Sequence, residues 1–346
     1  MNSEQRPILG ISAGDPAGIG AEVALKALGH AEIYGICRPV VVADRRVLEE
    51  ARRFCGLDLE VRAVAHPAEG LYRHGTVDVL DLANLGPDEL RYGKVTVAQG
   101  RASFEYVRRV IELALAGAVD GTVTGPINKE AINAAGFHYS GHTEIFAELT
   151  GSTEYAMMLA AGNFRVAHVS THVSLAEACR RVKKDRILRV IRLTRDALLR
   201  FGIAAPRIAV AGLNPHCGEG GLFGDEDARE ILPAVEEAKT RGINAEGPIP
   251  ADTVFPKMKG GMYDAVVVMY HDQGHIPIKL IGFEYDEATC SWVGMSGVNV
   301  TLGLPVIRTS VDHGTAFDRA GQGRANEQSM LDAIRLAATL ARTRQA

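Results

Sequence analysis

Short runs of β-branched and other apolar residues alternate along the chain with longer stretches in which apolar positions recur at helical spacing. Pro7–Ser12 (PILGIS) has the length and composition of a buried strand and leads into a helical pattern, AEVALKAL. A second strand, Pro39–Ala43 (PVVVA), and a second helical pattern, VLEEARRF, repeat the unit. From Val97 the positions Val97, Phe104, Val107, Ile111 and Ala114 share one helical face, which predicts a helix feeding the strand Gly121–Thr124. Further strands are expected at Ala156–Ala161, Phe164–Ser170, Arg207–Ala211 and Asp264–Tyr270, with helices around Lys184–Arg200, Glu226–Arg241 and Glu327–Arg342. This is the rhythm of parallel strands joined by crossover helices, so the expected class is α/β with mostly parallel sheets.

In open sheets of this kind ligands bind beyond the carboxyl ends of the strands. The residues just after each apolar run are therefore the ones to read for chemistry. His172 follows FRVAHVST, His216 follows RIAVAGLNP and His271 follows DAVVVMY, so all three belong to one rim. Converging, they would form a first shell for a catalytic divalent ion; apart, each would only hydrogen-bond its own loop, because they are far apart in sequence. His168, inside a strand, reads as structural. Ser140–Glu144 (SGHTE) opens a helical stretch and fits either an anion site at a helix N-terminus or plain capping with Thr143 as N-cap. Lys279 and Arg308 flank Asn299 and could hold a phosphate between a point charge and a fork, or could be surface charges.

Gly14–Gly20 reads G-x-x-x-G-x-G, which is not the dinucleotide fingerprint, and is expected to be a tight strand-to-helix turn. Two turn-rich segments, Asn214–Asp225 and Val311–Asn326, are long enough to suggest ligand-covering or functional loops.

Composition narrows the field. Within 346 residues, enough for two lobes or one large layered unit, 47% are hydrophobic and 23% charged, and the formal charge is −4, which argues against disorder and against nucleic acid as a partner. Cys37, Cys55, Cys179, Cys217 and Cys290 are scattered, without the spacing of a thiolate zinc site or a disulfide framework. No apolar run approaches a membrane span and the start has no leader pattern, so a cytoplasmic protein without membrane contact is expected.

Taken together, GDPAGIGAE, TGPINKEAI, GHTE, NPHCGE, PADTVF, YHDQGH, GVNVTLGLPVIRTSVDHGTAFD and AGQG resemble the 4-hydroxythreonine-4-phosphate dehydrogenase family of vitamin B6 synthesis, PdxA, over nearly the whole chain. More remotely, GDPAGIG and HGTAFDRAGQGRAN are similar to patterns of the isopropylmalate and isocitrate dehydrogenases. That second likeness implies a two-lobed α/β/α architecture of their kind. The lobes are expected to be discontinuous: residues 1–125 and 255–346 on the nucleotide side, residues 126–254 carrying metal, substrate and dimerisation functions.

The resemblance implies that His172, His216 and His271 hold a divalent metal, with Zn first and Mg, Mn or Co as alternatives. It places His142, Thr143, Lys279, Asn299 and Arg308 on a phosphorylated small-molecule substrate, and His313, Gly314 and Asn326 on the nicotinamide cofactor, NAD by default. It also implies an obligate homodimer with the active site at the subunit interface, with His271 as the expected crossing ligand. Asp252 and Lys129 are the candidates for proton transfer. The interval Ile281–Ser296 (IGFEYDEATCSWVGMS) is longer than in the vitamin B6 enzymes, and with HDQGHIPIK before it resembles the branch that oxidises 4-phospho-D-threonate or 4-phospho-D-erythronate. The implied reaction is NAD-dependent oxidation at C3 and decarboxylation to dihydroxyacetone phosphate. Rival readings are the vitamin B6 enzyme itself, a dihydrodiol dehydrogenase of the terephthalate type, a non-redox enzyme like the phosphotransacylases, and a small-molecule binding module.

Overall fold

The computed structural model describes residues 6–288 and 291–345. In chain order the strands are β1 (Ile8–Ser12), β2 (Arg38–Ala43), β3 (Glu60–Val64), β4 (Thr76–Asp81), β5 (Gly121–Thr124), β6 (Ala156–Ala161) and β7 (Phe164–His168). They continue with β8 (Ile208–Ala211), β9 (Ala245–Ile249), β10 (Ala265–Val268), β11 (Phe283–Asp286), β12 (Ser291–Met295), β13 (Val298–Leu302) and β14 (Arg308–Val311). Helices separate most of them, and the class is α/β with mostly parallel pairing. Among the described residues no helix is long and apolar enough to cross a membrane.

The chain separates into two compact units: residues 1–153, 293–298 and 304–346 in the first, residues 154–292 and 299–303 in the second. The expected crossings at 125 and 254 are displaced in both cases by side-chain packing. In the first unit Phe104, on the Val97–Leu115 helix, stacks on Phe137 at 3.8 Å between ring centroids, and Tyr139 lies at 5.8 Å. These contacts hold residues 129–149 to the first unit. In the second, Val254 and Met258 of the Ala251–Lys259 helix, Val266 and Val268 of β10, and Ile278 share one apolar core with Val166 of β7 and Ala209 of β8.

The first unit orders its strands β3-β4-β2-β1-β5-β14, with parallel neighbours throughout. The central ones are buried on both faces, which is why β2 (RPVVVA) reads as an unbroken apolar run. β3 was not legible because an edge strand, half exposed along EVRAV, needs no such run. The second unit orders β13-β6-β7-β10-β8-β9. Here β6 and β7 form an antiparallel hairpin across Gly162-Asn163, the exception to the parallel rule, with Gly162 at φ 56°. β9 is an edge strand carrying Pro248, a position that tolerates the missing amide.

The strand expected over Phe164–Ser170 stops at His168, so His172 stands in the loop beyond it. The Glu226–Arg241 helix opens as a π-helical turn, Asp227–Ile231, before the α-helix Leu232–Thr240. Of the Ile281–Ser296 interval, the first two residues complete the helix His271–Gly282 and the rest contributes β11 and β12; Thr289 and Cys290 lie outside the described residues. Cys37, Cys55, Cys179 and Cys217 are free thiols.

Candidate active site

The first unit gathers its polar groups around the ends of β1 and β5 and beside β14. Gly14 takes φ 76°, and a Cβ there would lie 2.3 Å from the Pro126 carbonyl oxygen, to which the Asp15 amide donates at 2.8 Å. The turn after β1 is thereby clasped to the turn after β5. The Ile19 amide donates to the Thr315 carbonyl at 3.1 Å, clasping the same turn to the segment after β14.

Arg308, first in β14, is 2% exposed, and its Nε and Nη2 donate to Thr124 Oγ1 at 3.3 and 3.0 Å. Its Cζ lies 5.7 Å from the Phe146 ring. Burial pushes the guanidinium down to about 9, opposed by the Glu144 carboxylate, and it stays cationic at neutral pH. Beside it, His142 is held well below the usual imidazole range, by burial first and then by the charges of Arg308 and Lys129. The His142 Nε2 is buried and has no hydrogen-bond partner among the described residues.

Lys129 opens the short helix Lys129–Ala134, capped by Asn128, whose Oδ1 accepts from the Ala131 amide at 2.9 Å. That helix can press on Val97–Leu115 because position 100 is glycine: a Cβ there would stand 2.0 Å from the Ala131 carbonyl oxygen. Thr143 is not the N-cap. Gly141 is, it offers no side-chain acceptor, and Thr143 falls in the first turn of the helix His142–Leu149. A buried guanidinium, an ammonium and uncapped first-turn amides form an arrangement suited to a phosphate dianion.

Asp15 supplies a test of this corner. It is fully buried, its Oδ1 accepts from the Ala17 amide at 2.8 Å, and its Oδ2 has no partner among the described residues. Burial raises its pKa to about 6, offset in part by backbone amides of Ala17 and Asn128. The fold thus holds this proton more tightly than the unfolded chain does, so the stabilisation is full below about pH 4 and is lost as pH rises through about 6. Asp15→Asn keeps the acceptor for Ala17 and removes the buried charge. At about pH 8 it is expected to be more stable than the parent by about 1–3 kcal/mol, with the gap closing toward pH 4. Urea melts of both proteins across that range check it, and parallel profiles would refute it.

In the segment after β14, His313 Nδ1 lies 3.0 Å from the Gly314 carbonyl, and its Nε2 is buried without a partner among the described residues. Burial lowers its pKa, leaving a neutral ring. Gly314 is exposed. Asn326 has a structural task, its Oδ1 accepting from the Gln328 amide at 2.8 Å at the start of the C-terminal helix.

The second unit brings two of the three strand-end histidines together. The rings of His172 and His271 stand 5.5 Å apart, and both line a cleft of about 470 Å³ with Thr171, Ser174, Tyr270 and Asp272. His271 Nδ1 is 2.6 Å from Asp272 Oδ1. The carboxylate can only accept, so Nδ1 carries the proton, and in the neutral ring Nε2 is the nitrogen that holds the lone pair. Behind His271 lie two more imidazoles, His275 and His168, pushed down by burial to about 4 and about 3 and therefore neutral.

His216 is not part of this group. It projects from Pro215–Gly221 with its side chain 65% exposed and its Nδ1 2.8 Å from Glu219 Oε2. Among the described residues no three His, Cys, Asp or Glu side chains are grouped to hold a metal. Within the chain the His271 ring stands beside that of His172, and the His216 side chain points away from both. The backbone there is unusual, since His216 to Gly220 all have left-handed φ, at 53°, 56°, 85°, 44° and 67°. Such a conformation costs about 1–2 kcal/mol for each non-glycine residue, and it aims the imidazole outward.

Asp252 is exposed in the first turn of Ala251–Lys259, beside the His216 loop: after burial, the charges of Asp227 and Asp252 push the Cys217 thiol up to about 11. Lys279 is exposed on the His271–Gly282 helix with its Nζ 5.3 Å from the Phe283 ring, and Asn299 is half-buried in β13. Sequence reasoning missed Thr124, Glu144, Asp272 and His275. The pair His271 and His275 is spaced for one helical face, but Gly274 and Pro277 disguise that helix.

The family described as pyridoxal phosphate biosynthetic protein PdxA matches residues 35–337. The D-threonate 4-phosphate dehydrogenase of Cupriavidus necator is 48% identical over 343 residues, covering 99% of each chain. A crystal structure of a 4-hydroxythreonine-4-phosphate dehydrogenase from Burkholderia phymatum is 46% identical with a TM-score of 0.83, covering 97% of this chain and 98% of that one. Another, from Klebsiella pneumoniae, is 43% identical with a TM-score of 0.84, covering 97% and 99%.

Proposed function

The chain belongs to the PdxA family of dehydrogenases, and on that premise we propose that it oxidises the C3 hydroxyl of 4-phospho-D-threonate or 4-phospho-D-erythronate. NAD accepts the hydride, a divalent metal is required, and decarboxylation of the 3-oxo acid gives dihydroxyacetone phosphate. The observation that carries the reading is the buried Arg308 guanidinium grouped with Lys129 and His142 at an uncapped helix start, a site for a phosphate. The full-length similarity to a D-threonate 4-phosphate dehydrogenase supports the sugar-acid branch.

Two imidazoles facing one cleft, one backed by a carboxylate, fit ligands of Zn²⁺ or a similar ion, with His216 as the third of the set and His271 as the one a homodimer would supply from the second copy. Such an ion supplies Lewis-acid polarisation of the C3 oxygen when bound. The chain's own residues do the rest. Arg308, Lys129 and the first-turn amides hold the phosphate, with His142 and Thr143 beside them, while Lys279 and Asn299 make further substrate contacts. The C3 hydroxyl must lose a proton, and C2 must regain one after CO₂ departs; Asp252 and Lys129 are the groups assigned to these transfers. The glycine turn after β1, with His313 and Gly314 beside it, is assigned to the nucleotide, and Asn326 supports that segment through its cap.

The alternative is 4-hydroxythreonine 4-phosphate, the substrate for which the related crystal structures are named. The test offers metal-loaded protein and NAD each of the three phosphorylated acids and follows NADH absorbance. At least about a tenfold higher kcat/KM for a phosphosugar acid is expected, a difference of about 1.4 kcal/mol. Preference for the amino acid would move the chain to vitamin B6 synthesis, and no NADH with any of them would end the reading.

A further inference from the structure

Four imidazoles stand in a row in the second unit. His168, fully buried at the end of β7, lies 4.8 Å from His275; His275 lies 3.6 Å from His271; and His271 faces His172 across 5.5 Å. The middle contact differs from the others. The His275 and His271 rings are stacked face to face at an interplanar angle of 10°, against 54° and 49° for the outer pairs. We propose that His275 is a positioning residue, whose flat ring fixes the plane of His271 so that its Nε2 is presented to the cleft. This rests on the reading of His172 and His271 as metal ligands.

His275 is itself held on two sides. Its Nδ1 lies 2.9 Å from the His271 carbonyl oxygen, an acceptor, so the ring donates there and cannot turn without breaking that bond. On its other side stands His168, whose Nδ1 lies 3.4 Å from the Met157 carbonyl. The helix comes this close to β7 because position 274 is glycine: a Cβ there would stand 2.6 Å from His168 Nε2. His271 is consequently constrained twice. The Nδ1–H to Asp272 at 2.6 Å sets its rotation, and the stack sets its plane. Asp272 is on the surface, with its side chain 69% exposed, and an exposed hydrogen bond alone is a weak restraint. The stack, backed by the buried His275 ring, is the firmer of the two.

The experiment uses the full-length protein and measures Zn²⁺ and Co²⁺ affinity in competition with a chromophoric chelator, together with the visible Co²⁺ spectrum. His275→Phe keeps a flat ring and offers no nitrogen, whereas His275→Leu fills the space without a plane. The Phe variant is expected to bind within a few-fold of the parent, and the Leu variant about 10- to 100-fold more weakly with an altered Co²⁺ spectrum, the range for residues that orient a ligand. Should the Leu variant unfold early, His275→Gln takes its place. A Leu or Gln variant that binds like the parent overturns the proposal. So does a Phe variant as weak as Leu, which would make His275 a ligand in its own right. If the parent binds neither ion, or His271→Ala binds as the parent does, the metal reading fails instead.

Discussion

Replacing His271 with alanine is expected to abolish tight binding of a divalent ion and to lower kcat/KM by at least about 10³-fold, while the protein stays folded. The size of the effect comes from the donor's place. His271 opens its helix, its Nδ1 is committed to Asp272, and its side chain lines the same cleft as His172. No other side chain among the described residues completes such a group. The ring is part-exposed and its loss uncovers one face of His275, so the expected stability cost is small, about 1 kcal/mol. Metal content after gel filtration, steady-state rates and a thermal melt check the three parts separately. A variant that retains its metal and full turnover would remove His271 from the site.

Arg308→Met is expected to separate activity from stability in opposite directions. The guanidinium is fully buried, its pKa pushed down to about 9, which means that folding takes a charge out of water at a cost the Glu144 carboxylate offsets only in part. A methionine of similar length restores apolar contact with Phe146 and removes that cost, so the melting temperature is expected to hold or rise. The same change deletes the fork proposed to grip the substrate's phosphate. Loss of a buried charged hydrogen-bonding partner is worth about 3–5 kcal/mol, so kcat/KM for the phosphorylated substrate is expected to fall by about 10²- to 10⁴-fold. Arg308→Lys, keeping charge without the fork, should lie between the two. Rates for all three proteins, set beside their melts, give the answer; an Arg308→Met enzyme with unchanged kcat/KM would place the phosphate elsewhere.

Much of this molecule was legible in its sequence because the signals are local. The strands β1, β2 and β10 are largely apolar runs, as expected of strands covered on both faces. The Val97–Leu115 and Lys184–Arg200 helices announce themselves by an apolar stripe of constant period. The strand-end positions of His172, His216 and His271 and the turn at Gly14–Gly20 were also readable, since chain order alone fixes which residues stand just past an apolar run. The parts that stayed hidden depend on a distant partner. Edge strands β3 and β9 are recognised only by the neighbour they pair with, and the Arg308 site exists only because β14 lies beside β5, where Thr124 ends.

By itself, then, the sequence determined the α/β class, the mostly parallel pairing and which residues stand just past the strand ends, through hydrophobic period and glycine placement. Only the tertiary structure decided that His172 and His271 converge while His216 points away on a left-handed turn, that Thr143 sits inside its helix rather than capping it, and that His275 lies flat against His271. Convergence, burial and ring orientation arise from contacts between residues far apart in the chain, and hydrophobic period carries no record of them.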